Sequence, residues 1–327
     1  MKSRRWNMGK RMFLCGFLLI LIPSLLWAQG YPTKPINMLI TFSPGGSADP
    51  SMRLIASKAE KFLGQPFVIT NNGGGGGSVA MAILAKEKPD GYYIAGCSST
   101  SLIRIPQFRT VPYKHEDFTP IMHFGAPPSC LVVKADSPWK TLKEFVDYAK
   151  KNPGKVTYSS MGIGSPMHLA MEYIAKQEGI QWTHVPYPGS GPAFTAFLGG
   201  HVTAQSGSSE SFPHVREGSV RLLAIHHEKR FKSFPDVPTF REMGYDFINE
   251  SVFMFAAPKG TPPAIVNKLD EAFRRAMDDP EFIQAMDKLE IVVGYRNSKD
   301  LEKYLDDAYV RLGKMIRELK LPKQPAK

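Results

Sequence analysis

Hydrophobic and polar positions alternate along the chain in a pattern that predicts strands followed by helices. The run INMLITF at residues 36–42 is typical of a strand, and the apolar positions after it recur at helical spacing up to Leu63. Gly64 is a typical helix-ending residue, and PFVIT at residues 66–70 predicts the next strand. Because strands that alternate with helices form βαβ units, this pattern predicts an α/β fold.

A second series of the same patterns begins near residue 130. CLVVKA is typical of a strand, the capping box at residues 141–144 begins a helix, and VTYSS at residues 156–160 predicts another strand. The C-terminal part predicts one strand and three helices, at residues 251–258, 263–278, 280–289 and 299–319. The spacing predicts two similar lobes with a cleft between them, the first ending near residue 128 and the second covering residues 129–250.

The N-terminus has the pattern of a secretion signal. Five cations precede the apolar run at residues 12–22, which is too short to span a bilayer comfortably. A cleavage point after Ala28 predicts a signal peptide over residues 1–28 and export of a soluble protein to the periplasm. An uncleaved membrane anchor is the alternative interpretation.

The distribution of charge indicates that the protein does not bind nucleic acid. The formal net charge is +11, but residues 1–28 hold five cations and no acid, which leaves +6 for the rest. The remaining basic residues alternate with acids and form no basic stripe with interleaved aromatic residues. We therefore expect no nucleic-acid partner.

Motifs for cofactors, metals and catalysis are missing from the sequence. Cys97 and Cys130 lack the spacing and the neighbouring histidines of a zinc site, and whether they pair with each other stays open. The P-loop, GxGxxG, GxSxG and HExxH patterns do not occur. We expect no metal, no cofactor and no enzymatic activity. A secreted hydrolase with Ser165 and His168 as a dyad is the catalytic alternative.

Three glycine-rich turns each follow a strand pattern and precede a helix pattern. In an open α/β sheet, ligands bind beyond the carboxyl ends of the strands, where helix N-termini present free backbone N–H groups to anions. The first turn, residues 43–49, offers the hydroxyls of Ser43 and Ser47 and its glycine amides. Asp49 precedes Pro50, so we expect Asp49 to be the N-cap of the following helix.

The second turn would lie on the same lobe as the first, and the third would lie on the other lobe. The second contains the five glycines at residues 73–77, and a flexible connector is its alternative interpretation. The third contains Gly162 and Gly164 and leads to His168, which is either a ligand contact or a structural hydrogen-bonding residue. Two turns on one lobe and one on the other would hold an anion from both sides.

Several of these segments occur together, and in the same order, in one known family. The segments are Phe42-Ser43-Pro44-Gly45-Gly46-Ser47-Ala48-Asp49, Leu63-Gly64-Gln65-Pro66, Pro89-Asp90-Gly91-Tyr92, Val111-Pro112-Tyr113, Pro153-Gly154-Lys155, Gly164-Ser165 with His168, His184-Val185-Pro186-Tyr187 and Phe234-Pro235-Asp236-Val237-Pro238-Thr239. With them the chain resembles the substrate-binding receptors of tripartite tricarboxylate transporters, the Bug family of periplasmic binding proteins. The resemblance covers nearly the whole chain after the signal.

The resemblance implies a two-lobed periplasmic binding protein of type II, a Venus flytrap in which each lobe is a mainly parallel sheet flanked by helices. It implies that residues 251–327 return to the first lobe, which then comprises residues 29–128 plus 251–327. The expected function is capture of a small carboxylate, either a di- or tricarboxylate or an aromatic one. The expected partners are that ligand and the membrane permease subunits, and we expect a monomer. A periplasmic sensor that signals to a membrane partner is the alternative function.

The family's binding turns carry over to specific residues of this sequence. The resemblance implies ligand contacts at Phe42, Ser43, Gly45, Gly46, Ser47, Asp49, Gly164, Ser165 and His168. Four further candidates lie in the neighbouring turns and strand ends, namely Gly76, Ser98, Ser160 and Ser206.

The chain departs from the family pattern at three places. Residues 73–77 are all glycine where the family has a proline-containing segment, so we expect a looser loop. Pro188 stands where a lysine is usual, and Thr203 stands where an aspartate is common. Both positions are expected near loops that face the cleft, where Ser208 and Ser209 would add hydroxyls.

Overall fold

The computed structural model describes residues 30–227, 229–246 and 251–319. The predicted signal peptide therefore lies outside the described residues. The strands are β1 (Ile36–Ile40), β2 (Phe67–Asn71), β3 (Tyr93–Ser98), β4 (Phe118–Ala126), β5 (Cys130–Lys134), β6 (Thr157–Ser160), β7 (Thr183–Pro186), β8 (Ala204–Gly207), β9 (Val220–Ile225), β10 (Phe253–Pro258) and β11 (Val292–Asn297). The helices are α1 (Ala48–Leu63), α2 (Ser78–Leu84), α3 (Ile105–Phe108), α4 (Leu142–Lys151), α5 (Pro166–Glu178), α6 (Ser190–Leu198), α7 (Phe212–Arg216), α8 (Pro263–Ala276), α9 (Pro280–Lys288) and α10 (Ser298–Glu318).

The strands form two sheets, one in each lobe. The first sheet has the order β11-β4-β10-β3-β1-β2, and the second has the order β7-β6-β8-β5-β9. The chain passes from the first sheet to the second between β4 and β5, and it returns between β9 and β10. The strand β10 therefore lies in the middle of the first sheet although it follows the second lobe in sequence.

Both sheets are mixed, which corrects the expectation of mainly parallel sheets. In the first sheet β1 pairs in parallel with β2 and β3, whereas β10 is antiparallel to β3 and β4. In the second sheet β6 pairs in parallel with β7 and β8, whereas β5 is antiparallel to β8 and β9. The first strand after each crossing, β5 or β10, runs against the βαβ strands of its sheet, whereas β4 and β9, which precede the crossings, run in the same direction as those strands. The predicted two-lobed α/β architecture is confirmed.

The helices pack on the sheets through the apolar positions that the sequence pattern indicated. Helix α1 has Met52, Ile55, Ala56 and Ala59 fully buried, at helical spacing. Helix α8, from the C-terminal segment, packs on the same lobe, where Phe273 stacks on Phe255 of β10 at 4.0 Å between ring centroids. Burial of these side chains holds the C-terminal segment on the first lobe.

The strands β4 and β11 were not predicted from the pattern. β4 is a nine-residue buried strand that contains Pro120, and β11 is a largely exposed strand at the end of the sheet. Neither has the regular alternation that marks a half-buried strand. In the part of the chain that the structure describes, no helix combines the length and apolar character needed to cross a bilayer.

Candidate ligand-binding cleft

The carboxyl ends of the parallel strands of both lobes meet at one gap. In the first lobe, Ile40 of β1 aligns with Asn71 of β2 and with Gly96 of β3. In the second lobe, Ser160 of β6 aligns with Pro186 of β7. The turns that follow these strands contact each other across the gap, since the Ser43 hydroxyl donates to the Pro188 carbonyl at 3.3 Å. This is the edge where α/β sheets bind ligands.

The first-lobe turn comes close to the backbone of the second lobe. A Cβ on Gly46 would lie 2.4 Å from Ser190 Oγ, and a Cβ on Gly191 would lie 2.7 Å from the Gly45 carbonyl carbon. Among the described residues, the N–H groups of Gly45, Gly46, Ser47 and Ala48 have no hydrogen-bond acceptor. They stand at the N-terminus of the 16-residue helix α1, which favours negative charge.

Asp49 is not the N-cap of α1, which corrects the prediction made from the Asp49-Pro50 sequence. Its carboxylate instead accepts hydrogen bonds that hold neighbouring elements together. Ser47 is the N-cap residue, and Asp49 lies in the first turn of α1. Asp49 Oδ1 accepts hydrogen bonds from Arg53 Nε at 2.8 Å and from Asn71 Nδ2 at 2.7 Å. Asn71 Nδ2 also donates to the Phe42 carbonyl at 2.9 Å. Asp49 therefore ties the start of α1 to the end of β2 and holds the first turn in place.

The glycine loop is a defined, closely packed turn rather than a loose connector. Gly75, Gly76 and Gly77 have φ values of 62°, 69° and 87°, which other residues rarely adopt. A Cβ on Gly77 would lie 2.8 Å from the Thr41 carbonyl oxygen, and one on Gly73 would lie 2.6 Å from the Ser43 nitrogen. The glycines let this turn contact the end of β1 and reach the interlobe gap.

A cavity of about 180 Å³ lies between the two lobes. On the first lobe its walls are Gly75, Gly76, Ile105, Phe108 and Arg109, and on the second lobe they are Gly162, Ile163, Pro186, Tyr187 and Pro188. Water occupies about 30 Å³ per molecule in the liquid, so the cavity holds one small organic molecule. Of the described residues that form these walls, Gly76 is the one that was predicted as a site residue.

The second-lobe turn uses its polar groups within itself. Ser165 is fully buried and is the N-cap of α5, and its Oγ accepts the His168 N–H at 3.2 Å. His168 Nδ1 accepts the Gly164 N–H at 3.1 Å. A Cβ on Gly164 would lie 2.7 Å from the ring of Phe108, so this turn packs against the first lobe. Neither bond joins the Ser165 hydroxyl to the His168 ring, so these two described residues do not form a Ser–His dyad.

His168, which is buried, and His184, which is half-buried, stack on each other behind this turn. Their rings lie 4.2 Å apart at 21°, and Tyr158 stacks on the other face of His184 at 4.9 Å. Burial lowers the pKa of His168 to about 4. Burial, and then the neighbouring His168, lower the pKa of His184 to about 2. Both rings are therefore neutral at physiological pH, and they support the turn as uncharged groups.

Four other predicted residues lie at the gap but are engaged in packing or local hydrogen bonds. Phe42 is buried against Phe253, with ring centroids 5.7 Å apart. Ser98 Oγ accepts the Thr100 N–H at 3.2 Å. Ser160 Oγ lies 2.7 Å from His184 Nε2, and Ser206 Oγ donates to the Met167 carbonyl at 3.0 Å. These hydroxyls fix the turns in place.

Pro188 and Thr203, the two positions where the chain departs from the residue usual in the family, differ in whether they face the cleft. Pro188 lines the cavity, as expected for a residue that faces the cleft. Thr203 does not face the cleft, because its Oγ1 lies 3.2 Å from Thr157 Oγ1 at the start of β6, which is the opposite end of the sheet. The unusual residue that bears on the ligand is therefore Pro188.

Several buried polar atoms at the strand ends have no hydrogen-bond partner among the described residues. Thr41 Oγ1 follows β1, and Gln205 Oε1, Ser209 Oγ and Glu210 Oε2 belong to β8 and the turn after it. The Ser208 hydroxyl, in contrast, donates to the Pro128 carbonyl at 2.7 Å. Burial raises the pKa of the Glu210 carboxyl. Unpartnered buried polar groups are rare in proteins, and an ordered water or a functional role is the usual explanation for one.

Sequence reasoning missed the charged residue of the cavity. Arg109 lies between α3 and the Val111-Pro112-Tyr113 segment and carries no motif of its own. Phe108 and Tyr187 were missed in the same way, although Tyr187 belongs to a recognised segment. An arginine with no neighbouring acid gives no local sequence signal, and only the packing of α3 against the glycine loop brings it to the gap.

The fold and the interlobe gap define a two-lobed solute-binding protein. The profile described as "Tripartite tricarboxylate transporter family receptor" matches residues 51–321, and the chain belongs to that family. A protein of Cupriavidus necator described as "UPF0065 protein in gbd 5'region" is 37% identical over 303 residues, covering 92% of each chain.

Solved structures of the same fold match closely. The periplasmic binding protein BugD matches with a TM-score of 0.84 and 29% identity, covering 90% of this chain and all of BugD. An R. palustris protein solved with adipate matches with a TM-score of 0.84, 26% identity and the same coverage. MatC from Rhodopseudomonas palustris with bound malate matches with a TM-score of 0.81 and 28% identity, covering 88% of this chain and all of MatC.

Proposed function

We propose that the protein is an extracytoplasmic receptor that captures a small carboxylate between its lobes and delivers it to a tripartite tricarboxylate-type membrane transporter. The observation that carries this proposal is the set of free N–H groups at Gly45–Ala48, at the N-terminus of α1 and beside the second lobe. Such a turn binds a carboxylate without any reactive side chain. The malate and adipate complexes of two structural neighbours support a carboxylate as the ligand.

The proposed mechanism is binding followed by closure, with no covalent step. One ligand carboxylate accepts hydrogen bonds from the turn at Gly45–Ala48, and the second lobe, residues 129–250, rotates to cover it. The hinge is formed by the two crossings between the sheets. Charge-assisted hydrogen bonds are each worth about 1.5–3 kcal/mol, so three or four are enough for micromolar binding after association costs.

A ligand screen tests this function. The mature protein is heated in the presence of mono- and dicarboxylates and of the matching neutral amides, and each mixture is then analysed for products by NMR. A carboxylate at 100 times its Kd stabilises the fold by about 2.7 kcal/mol, which raises Tm by several degrees. The amides are expected to have no effect, and no product is expected. Turnover of any compound would contradict a receptor.

Export and delivery need separate tests. N-terminal sequencing of protein from the periplasmic fraction is expected to begin after Ala28. Deletion of the gene is expected to abolish uptake of the ligand identified by the screen, and a permease deletion is expected to have the same effect. Normal uptake in the receptor deletion strain would favour a sensor over a transport receptor.

A further inference from the structure

Two helix N-termini, one from each lobe, meet at the interlobe gap. Ser190 and Gly191 are the first residues of α6, and they lie against the turn that precedes α1. A Cβ on Gly46 would lie 2.4 Å from Ser190 Oγ, and a Cβ on Gly191 would lie 2.9 Å from the Gly45 carbonyl oxygen. Because each helix N-terminus carries a partial positive charge, the two ends together favour an anion more than either does alone.

A carboxyl group of the protein itself is tied to this meeting point. Gln205 Nε2 donates to the Ser190 carbonyl at 3.3 Å and to Glu210 Oε1 at 2.9 Å. The Ser208 N–H donates to the same carboxyl oxygen at 2.8 Å. Through Gln205, Glu210 is therefore connected to the first residue of α6, which in turn contacts the Gly45–Ala48 turn.

The second oxygen of this carboxyl group lacks a donor. Glu210 Oε2 is buried and has no hydrogen-bond partner among the described residues. An ionised carboxylate accepts hydrogen bonds on both oxygens, so the ionised form of Glu210 is only partly satisfied here. Burial raises the pKa of the Glu210 carboxyl more than the hydrogen bonds from Ser208, Gln205 and Ser190 lower it. Glu210 therefore holds a proton more readily than an exposed glutamate does.

The strands and the helix next to Glu210 offer no charge that would neutralise it. Helix α6 and strand β8 contain no ionisable side chain. On β5, Cys130 Sγ lies 3.6 Å from the Ser208 carbonyl oxygen, and burial raises the pKa of this thiol, so it is neutral. Helix α5 contacts β8 through Ser206, which bonds to the Met167 carbonyl and not to Glu210.

The charged side chains of the two other neighbouring helices are directed elsewhere. On α7, His214 Nδ1 lies 3.7 Å from the Glu217 carboxylate, and Arg216 Nη2 lies 3.8 Å from the Glu290 carboxylate. On α1, the Asp49 carboxylate is bonded within its own lobe. Of the cations in the described part of the chain, none is paired with Glu210.

We propose that Glu210 is an internal anion that competes with the ligand, so that the receptor takes up a proton when it binds a carboxylate. This inference rests on the proposed function, because the competing charge is the ligand carboxylate at the Gly45–Ala48 turn. The ligand stays ionised, and the Glu210 carboxylate accepts one proton from the solvent. Two carboxylates about 10 Å apart weaken binding by about tenfold at an effective dielectric constant of about 20. Affinity therefore falls as the pH rises and Glu210 loses its proton.

Titration calorimetry at several pH values tests the proposal. The mature protein is titrated with malate, adipate, succinate and benzoate at about pH 6, 7 and 8.5, where these acids are largely ionised. The Kd of wild-type protein for the acids that bind is expected to rise by about three- to tenfold from the lowest to the highest pH.

Two variants assign this pH dependence to one carboxyl group. Glu210→Gln keeps an acceptor oxygen without the charge, and it is expected to bind about tenfold more tightly than wild-type protein at the highest pH, with no pH dependence. Glu217→Gln changes an exposed glutamate of the same lobe and is the matched control, expected to behave as wild-type protein does.

The outcomes separate this proposal from the proposed function. Affinity of wild-type protein that is independent of pH, or the same pH dependence in Glu210→Gln, overturns the role of Glu210 and leaves the receptor function standing. Failure of all four acids to bind at every pH contradicts the function and the present proposal together.

A measurement on wild-type protein replaces the variant if Glu210→Gln does not fold. The titration is repeated near neutral pH in phosphate and in Tris, two buffers that release protons with different enthalpies. Proton uptake is expected to make the observed binding enthalpies differ between the buffers. Equal enthalpies would overturn the proposal.

Discussion

At the scale of single residues, the buried histidines give the protein a defined dependence on pH. The ordinary pKa of 6.5 falls to about 4 for His168 and to about 2 for His184, chiefly because of burial. The folded state therefore binds fewer protons than the unfolded chain as the pH falls. The contribution of these neutral rings to the free energy of unfolding is complete above about pH 6.5. It is lost as the pH falls toward 4 for His168 and toward 2 for His184.

We therefore expect the free energy of unfolding to fall by roughly 2 kcal/mol or more between pH 7 and pH 5, measured by urea denaturation. His184→Gln is expected to reduce this slope, because it removes one of the three described histidines whose pKa is lowered by burial, the third being His123 with a pKa of about 4. His201→Gln, at an exposed position, is the control and is expected to leave the slope unchanged. Identical slopes in wild-type protein and His184→Gln would refute this account.

The glycines differ in what surrounds them, and two of them form a matched pair. Gly77 has a φ of 87°, and a Cβ there would lie 2.7 Å from Thr41 Cβ. Gly64 has a φ of 70°, and a Cβ there would have no atom within 4 Å. Gly64→Ala is expected to cost about 1 kcal/mol, from backbone strain alone. Gly77→Ala is expected to cost about 3 kcal/mol, because overpacking adds to the strain.

Urea unfolding of both variants checks this difference. Equal losses in the free energy of unfolding would show that the residues around Gly77 can shift to accept a methyl group at no energetic cost. The glycine loop would then be less tightly packed than the distances indicate.

At the scale of elements, Ser165 and Thr141 cap two helices of the second lobe in the same way. Each side chain accepts a backbone N–H at 3.2 Å, from His168 and Glu144 respectively. Ser165→Ala and Thr141→Ala are each expected to cost about 1 kcal/mol of stability. Only Ser165 belongs to the turn at the interlobe gap, so only Ser165→Ala is expected also to weaken ligand binding. Titration and thermal melting of both variants measure the two effects separately.

Equal binding by the two capping variants would mean that the Gly162–Ser165 turn does not contribute to the site. Cys97→Ala serves as a second control, because Cys97 is a buried free thiol inside β3. It is expected to leave ligand affinity unchanged.

At the scale of the whole molecule, the proposed closure depends on how closely the two lobes approach. The contact between Gly45 and Gly191 is made by backbone atoms, and a methyl group on Gly191 would lie 2.7 Å from Gly45. Gly191→Ala is therefore expected to act as a wedge that disfavours closure and weakens binding about tenfold or more. Gly189→Ala is the matched control, since its Cβ would lie 3.7 Å from Ser43, an ordinary contact.

Small-angle X-ray scattering with saturating ligand distinguishes these two variants. Wild-type protein and Gly189→Ala are expected to become more compact, and Gly191→Ala is expected to remain closer to its ligand-free radius of gyration. Full compaction of Gly191→Ala would show that closure does not require this contact.

Much of the architecture was predictable because it follows from local periodicity. The α1 helix and the three C-terminal helices agree with their apolar spacing to within a few residues. The strands β4 and β11 were not predictable, because one is buried on both faces and contains a proline while the other is an exposed edge. The role of Asp49 was also misread, because its partners Arg53 and Asn71 depend on the packing of α1 against β2.

The sequence by itself determined the alternation of strands and helices, the three glycine turns and the order of segments that marks the family, since each of these is a local property of neighbouring residues. Only the tertiary structure decided which groups face the gap. It showed that the Ser165 and His168 side chains accept hydrogen bonds from backbone N–H groups of their own turn, and that Arg109 lines the cavity. The physical reason is that hydrogen-bond partners and cavity walls come from residues far apart in the chain, brought together by burial of the apolar faces.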